Sequence, residues 1–255
     1  MELKTILITQ ARTGSSRLPN KVLKEINGVS LLQIHLERLK NCLEVSEIIV
    51  ATTTNSEDEI IYNLALKWGY NAFMGSELNV LDRFYQAVKD KNADWIVRVT
   101  SDCPLLDAQL VDDLIRYAQN NDFDYVSNGL VEHYPDGQDV EVFKFYTLEK
   151  AWKNAKLKSE LEHVTPYIRN NANNKGEAIF TSVNYPCHKN FSDIRMTVDE
   201  SRDFDLIKYI IQKLGTKKTW LEYTNYIIDN DLTTLNNQII RNEGLLKSLK
   251  NDTNG

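Results

Sequence analysis

Between Ala11 and Lys24 the chain carries four cations, Arg12, Arg17, Lys21 and Lys24, and no acid. Gly14, Ser15 and Ser16 lie in the middle of that stretch. Small residues let the backbone come close to a ligand, and free N–H groups and hydroxyls bond oxyanions. Arg12, Arg17 and Lys21 can then neutralise a polyphosphate. The chemistry indicated is the holding of a nucleoside triphosphate. The other reading is an ordinary Gly/Ser-rich strand-to-helix loop with surface cations. The Walker spacing G-x-x-x-x-G-K-[ST] and the dinucleotide pattern G-x-G-x-x-G are both absent.

Two carboxylates sit where such a loop would need a metal. Asp102 lies in T-S-D-C-P-L-L-D, just past an apolar strand, and Pro104 biases Cys103 towards an extended backbone that aims Asp102. A carboxylate beside phosphate needs a hard cation between them, and Mg²⁺ takes one or two carboxylates with phosphate oxygens and water. The alternative is a turn residue bonded to its own backbone. Asp199 closes R-M-T-V and is either a second Mg²⁺ ligand or an N-terminal charge on the helix at 202. Asp107 reads as an N-cap. Asp82-Arg83 is either a surface pair or a base-contacting element. The four histidines do not cluster, and His163 precedes Pro166 in E-H-V-T-P. There is no G-x-S-x-G elbow and no Cys–His pairing.

The elements that must position these residues alternate. Ile6-Leu7-Ile8 reads as a buried strand, followed by strands at 46–52, 70–74, 94–100 and 124–127. Helical patterns at 30–42, 57–69, 79–91 and 108–120 lie between them. Short connections in this order give a parallel sheet with right-handed crossovers. After Ser127 the rhythm changes. Pro135-Asp136-Gly137 marks a turn, and 139–145 alternates like a half-exposed strand. Helices follow at 147–155 and 160–173, strands at 178–183 and 194–198, and a helix at 202–214. From 219 the chain reads as helical, with a frayed tail at 251–255. Ligands in open α/β sheets bind beyond the carboxyl ends of the strands, which is where the cation loop and Asp102 fall.

The 255 residues suffice for one large domain with an appendage. Against a net charge of −6 the basic loop is a local feature, so nucleic acid is not the expected partner. Cys42, Cys103 and Cys187 lack C-x-x-C spacing, which argues against a zinc site and a disulfide framework. With no charged leader and no run of about 18 apolar residues, a cytoplasmic chain without a membrane span is expected.

Residues 10–23, Q-A-R-T-G-S-S-R-L-P-N-K-V-L, resemble the N-terminal signature A-R-x-x-S-x-R-L-P-x-K of the cytidylyltransferases that activate sugar acids, and most resemble their SpsF-like branch. The segments V-L-D-R-F, R-V-T-S-D-C-P-L-L-D, Y-P-D-G-Q-D-V-E-V, E-H-V-T-P and the tail R-N-E-G-L-L-K-S-L agree with that branch, in order, over nearly the whole chain. The resemblance implies a three-layer Rossmann-like nucleotide-diphospho-sugar transferase fold with a mixed, mostly parallel sheet. It divides the chain into a nucleotidyltransferase domain at 1–215, with an acceptor and dimerisation insertion at about 129–150, and a helical extension at 216–255.

The implied reaction moves CMP from CTP to a sugar acid or a small phosphorylated acceptor, releasing pyrophosphate, in surface polysaccharide or glycan precursor synthesis. The implied catalytic residues are Arg12, Lys21 and Asp102, with Mg²⁺ on Asp102 and Asp199. Arg12, Ser16, Arg17 and Lys21 match the triphosphate positions, and Ala11, Gly14, Thr52, Asp82, Arg83, Arg98 and Ser101 complete the nucleotide set. Arg98 stands where relatives often place a glutamine near the base. The acceptor set is Tyr134, Asp136, Asp139, Glu141, His163 and Arg195, and a homodimer is implied. Two alternatives remain. A GT-A-like glycosyltransferase would carry an acidic D-x-D motif where this chain has D-C-P. A non-catalytic nucleotide-binding protein would bind CTP without releasing pyrophosphate.

Overall fold

The strand that opens the fold has no apolar side chain left for water. In β1 (Thr5–Gln10) the residues Ile6, Leu7 and Ile8 are fully buried, Ile6 and Ile8 facing one layer of helices and Leu7 the other. A strand covered on both faces needs a sheet with helices on both sides, and the alternation of elements supplies it. The computed structural model describes residues 3–173 and 178–252.

After β1 come a small hairpin, β2 (Glu25–Ile26) and β3 (Val29–Ser30), then α1 (Leu31–Leu39), β4 (Glu47–Thr53), α2 (Glu59–Lys67), β5 (Asn71–Gly75), α3 (Val80–Val88), β6 (Trp95–Thr100) and α4 (Ala108–Asn121). The second half contains β7 (Tyr125–Ser127), β8 (Glu141–Lys144), α5 (Phe145–Asn154), α6 (Lys158–His163), α7 (Pro166–Asn170), β9 (Ser182–Asn184), α8 (Ser201–Leu214), α9 (Trp220–Asp229) and α10 (Glu243–Asp252). The seven-stranded sheet has the order β5-β4-β1-β6-β8-β7-β9. Only β8 runs against its neighbours. Strand order reverses on either side of β1, so the crevice beyond β1 and β6 is the topological switch point. Helices α3 and α5 cover one face through Phe84 and Leu148, and α4 covers the other through Leu110, Val111 and Leu114.

Several expectations are adjusted. The helix expected over 160–173 is two short helices, because Val164 takes φ 71° and Pro166 starts a new helix without needing an N–H partner. The strand expected at 178–183 is β9, at Ser182–Asn184. Residues 194–198 form no strand. Within them one isolated bridge joins Arg195 to Asp136. The stretch from 219 is not continuously helical, since a 3₁₀ turn at Leu232–Leu235 and an irregular segment separate α9 from α10. Of the tail expected to fray, 253–255 lie outside the described residues. The 129–150 stretch places β8 inside the main sheet, between β6 and β7. The residues after 215 pack into a core shared with the rest, where Tyr223 and Ile227 join Leu31, Ile34 and Leu206. Arg38 of α1 ties them down by donating to the carbonyls of Leu106, Thr216 and Lys218.

One turn aims the site. The Asp136 N–H donates to the Ile194 carbonyl (2.9 Å), and the Met196 N–H donates to the Asp136 carbonyl (2.6 Å). Between them Gly137 has φ +101°, and a Cβ there would lie 2.6 Å from the Thr197 nitrogen. No side chain fits. Gly137→Ala is therefore expected to cost at least about 1–2 kcal/mol from backbone strain, with the clash in addition. The denaturant midpoint measures it, and an unchanged midpoint would contradict this account of the turn.

Candidate active site

The site begins with a lysine between two acids. Lys21 opens a 3₁₀ turn (Lys21–Leu23) pinned by buried Val22 and entered through Asn20 in the left-handed conformation. Its Nζ donates to Asp102 Oδ2 at 2.6 Å and to Asp199 Oδ1 at 2.8 Å. Burial opposes the charge on Lys21, but the two carboxylates outweigh it and raise its pKa. Burial likewise pushes Asp102 up, and the Lys21 charge and hydrogen bond more than reverse this, bringing it to about 2.

Asp102 is held by its backbone. Its carbonyl accepts from the Val198 N–H, and the Ser101 hydroxyl donates to the Gln10 carbonyl (2.6 Å), which ties the ends of β1 and β6 together. Behind it lies the fully buried His35, lowered to about 4 by burial and hence neutral. Its Nδ1 is 2.9 Å from the Cys103 carbonyl, which can only accept, so Nδ1 carries the proton and Nε2 accepts from the Thr9 hydroxyl at 3.0 Å. Asp199 is held from the other side by Arg195 (2.8 Å), which also grips Asp203 (2.9 Å) and Asp136.

The two loop arginines are also paired with acids. Arg12 pairs with Glu77 at 3.0 Å, and Arg17 pairs with Asp199 at 3.1 Å and Glu243 at 3.2 Å. The loop is shaped by buried Asp58, which accepts from the Thr13 N–H (2.7 Å) and hydroxyl (2.8 Å) and from the Thr53 hydroxyl. Gly14 and Ser16 face solvent.

Beyond the aspartates a cleft of about 250 Å³ opens, walled by Arg17, Arg98, Asp102, Asp136, Asp139, Glu141, His163, Arg195 and Asp199 among others. At its far wall the Glu141 carboxylate, 3% exposed, accepts from Arg98, Arg169 (2.8 Å), Tyr125 (2.5 Å) and Thr165 (2.6 Å). Burial disfavours its charge. Arg169 and Arg98, with the two hydroxyls, prevail and lower it to about 2. Two guanidiniums against one carboxylate leave this wall positive. Asp136 is held near 7, raised by burial and the Asp139 charge against the pull of Arg195.

The sequence-derived residues thus divide. Arg17, Lys21, Asp102 and Asp199 meet at the near side of the cleft, and Asp136, Asp139, Glu141, His163 and Arg195 line it together. Arg98 stands with Glu141, away from the cation loop. Tyr134 does not reach the cleft: it is buried, donates to the Pro186 carbonyl and packs beside Trp220. Arg83 is buried and donates to the Ser76 carbonyl, and Asp82 accepts from Trp152 and Gln86, so both serve α3. Ala11, Thr52 and Ser101 are buried and lie off the cleft wall. Arg169, Thr165, Glu77 and Asp58 were not foreseen. Arg169 pairs across 28 positions, a separation that carries no local signal.

Comparison with known proteins places this geometry. The family model described as cytidylyltransferase matches residues 6–234. The chain belongs to the cytidylyltransferase family. Among its relatives, the spore coat polysaccharide biosynthesis protein SpsF of Bacillus subtilis is 31% identical over 221 residues, 83% of this chain and 88% of that protein. An uncharacterized protein of Methanocaldococcus jannaschii is 47% identical over 207 residues, 80% of this chain and 82% of its own. A solved cytidylyltransferase of Leptospira borgpetersenii superposes with a TM-score of 0.84 at 28% identity, covering 94% of this chain and all of that one. The family fold is the three-layer α/β architecture described above, and a CTP complex of CMP:2-keto-3-deoxy-manno-octonic acid synthetase shares it at a TM-score of 0.59 and 18% identity. Among the described residues no helix is long and apolar enough to cross a membrane.

The Glu141 cluster makes an acid-stability prediction. A carboxyl lowered from 4.5 to about 2 on folding contributes stability that is complete above its unfolded pKa and is lost as pH falls through the window from about 4.5 to about 2. Arg169→Met removes the largest lowering charge, so the loss should begin at higher pH. At neutral pH it should cost on the order of 3 kcal/mol, since one partner of a buried pair is gone. Acid unfolding followed by circular dichroism reads both, and a superimposable acid limb would contradict the assignment.

Proposed function

We propose that this protein transfers CMP from CTP to a small anionic acceptor, a sugar acid or a phosphorylated metabolite, and releases pyrophosphate. The observation that carries the reading is the meeting of the loop cations Lys21 and Arg17 with Asp102 and Asp199 at the switch point of the sheet. Activation of a precursor for surface polysaccharide is the setting that the SpsF likeness suggests.

The donor set fits Mg²⁺. Asp102 and Asp199 offer only carboxylate oxygens, bridged by the Lys21 ammonium, and hard cations favour such ligands. When bound, Mg²⁺ neutralises phosphate charge and orients the reacting oxygens. The protein's own residues do the rest. Lys21 leaves the two carboxylates for phosphate oxygens, and Arg17 and Arg12 exchange Glu243 and Glu77 for the same chain of phosphates. In-line transfer to phosphorus needs positioning and charge neutralisation, which these three cations supply. Arg98 and Arg169 present donors to the acceptor's anionic group. An acceptor phosphate attacks as an anion already, whereas a hydroxyl needs a base, and Asp136 on the cleft wall is the carboxylate suited to take that proton.

The test is a pyrophosphate-release screen of CTP against other nucleotides, with sugar acids and phosphorylated alcohols as acceptors. Asp102→Asn should lower turnover by at least about 100-fold, the scale of losing one preorganised electrostatic contact to the transition state. Arg169→Met should raise the acceptor KM by about 10–100-fold while leaving the KM for CTP near its original value. Pyrophosphate release that survives in Asp102→Asn, or an acceptor KM indifferent to Arg169, would refute the corresponding role.

A further inference from the structure

The C-terminal helix α10 lies beyond residues 6–234, and its first turn reaches the nucleotide side of the cleft. Asn242, Glu243, Gly244 and Leu245 all line the cleft. The Glu243 carboxylate accepts from Arg17 Nη1 at 3.2 Å, on the guanidinium whose other arm holds Asp199. A carboxylate on an arginine offers the same planar, two-oxygen partner as a phosphate edge. Glu243 therefore holds the place on Arg17 that a triphosphate oxygen would take.

The helix is built to let go. It buries only Ser248, while Leu246 and Leu249 stay 46% and 39% exposed. Its only apolar side chain that is even half-buried is Leu245, and polar contacts tie it to α6. The Ser248 hydroxyl donates to Glu162 (2.8 Å) and so accepts from His163 Nε2 (3.1 Å), and the Ser159 N–H donates to Asp252 (3.2 Å). An element with little apolar burial opens at low free-energy cost. A pivot precedes it. Arg241 is anchored to Asp139 (2.7 Å) and to the Tyr134 carbonyl (3.1 Å), and Asn242 follows with φ 56°. With α10 docked the cleft is about 250 Å³, below the roughly 300–1,000 Å³ usual for small-molecule sites and small for a nucleotide plus an acceptor.

We infer that residues 242–252 are a displaceable strap: Glu243 occupies the phosphate position on Arg17 until the nucleotide replaces it, and that exchange frees α10 and opens the acceptor side of the cleft. The inference rests on the reading of the cation loop as the triphosphate site. Strap and nucleotide compete for one guanidinium, so the docked population raises the apparent Kd for CTP.

The experiment compares CTP binding, with Mg²⁺ present, in the full-length wild type and in Glu243→Gln, Arg17→Ala and Lys247→Gln. Lys247 pairs with Glu243 one turn along the helix (2.7 Å) and makes no contact with Arg17, so Lys247→Gln perturbs α10 without touching the exchange directly. Glu243→Gln should tighten CTP by about 2–5-fold, the scale of a partly exposed ion pair, and the gain should shrink as salt screens it. Lys247→Gln should bind CTP no more tightly than wild type, and Arg17→Ala should bind it more weakly than wild type. Hydrogen exchange across 243–252 should rise when CTP is added to wild type. If Arg17→Ala weakens CTP while Glu243→Gln leaves it unchanged or weakens it, the strap is refuted and the triphosphate loop stands. If Arg17→Ala binds CTP as wild type does, the loop reading falls and the strap falls with it.

Discussion

A single ammonium group sits between two aspartates that would otherwise repel each other, and the site is arranged about it. Asp102 follows the end of β6 and Asp199 lies in the loop before α8, and Lys21 bonds both within 2.8 Å. Two carboxylates brought this close and partly out of water require positive charge, and Lys21 supplies it to both while Arg17 and Arg195 add to it on Asp199. The surrounding framework exists to keep the aspartates where they are. Neutral His35 fixes the Cys103 backbone behind Asp102, and Arg195, braced by Asp136 and Asp203, fixes Asp199.

This arrangement makes ligand binding an exchange of partners. Each of Arg12, Arg17 and Lys21 already has a carboxylate, so a triphosphate bound there, as proposed, would gain only the difference between phosphate and carboxylate contacts. Under the proposed function Asp102 and Asp199 would hold a hard cation, and that cation would supply the positive charge that Lys21 gives them here. The proposed chemistry would then call for nucleotide and metal together, with the positive wall formed by Arg98, Arg169 and Glu141 facing the second substrate.

The near half of the site was legible because its residues sit at strand ends, where a single sequence shows both the apolar run and the loop that follows. The cation loop and Asp102 are of this kind. The segment 194–198 shows how the same reasoning overreaches. Ile194, Met196 and Val198 are buried in one cluster and Arg195 faces the cleft, so the alternation is real. Its backbone pairs only briefly with Asp136 and Asp102, and hydrogen bonding, unlike burial, leaves no mark on composition. The far wall was harder. Glu141 was placed in the acceptor set by resemblance and Arg98 in the nucleotide set, but their pairing with each other and with Arg169 spans 43 and 28 positions and shows in no local pattern. Tyr134 differs in the other direction, since the resemblance put it in the acceptor set and here it is buried and packs beside Trp220.

The most direct test of the central claim is a crystal structure of the protein with CTP and Mg²⁺. The account predicts that Lys21 Nζ moves off Asp102 and Asp199 onto phosphate oxygens, with a metal ion in its former place between the two carboxylates. A complex in which CTP is bound while Lys21 still bridges both aspartates would contradict it.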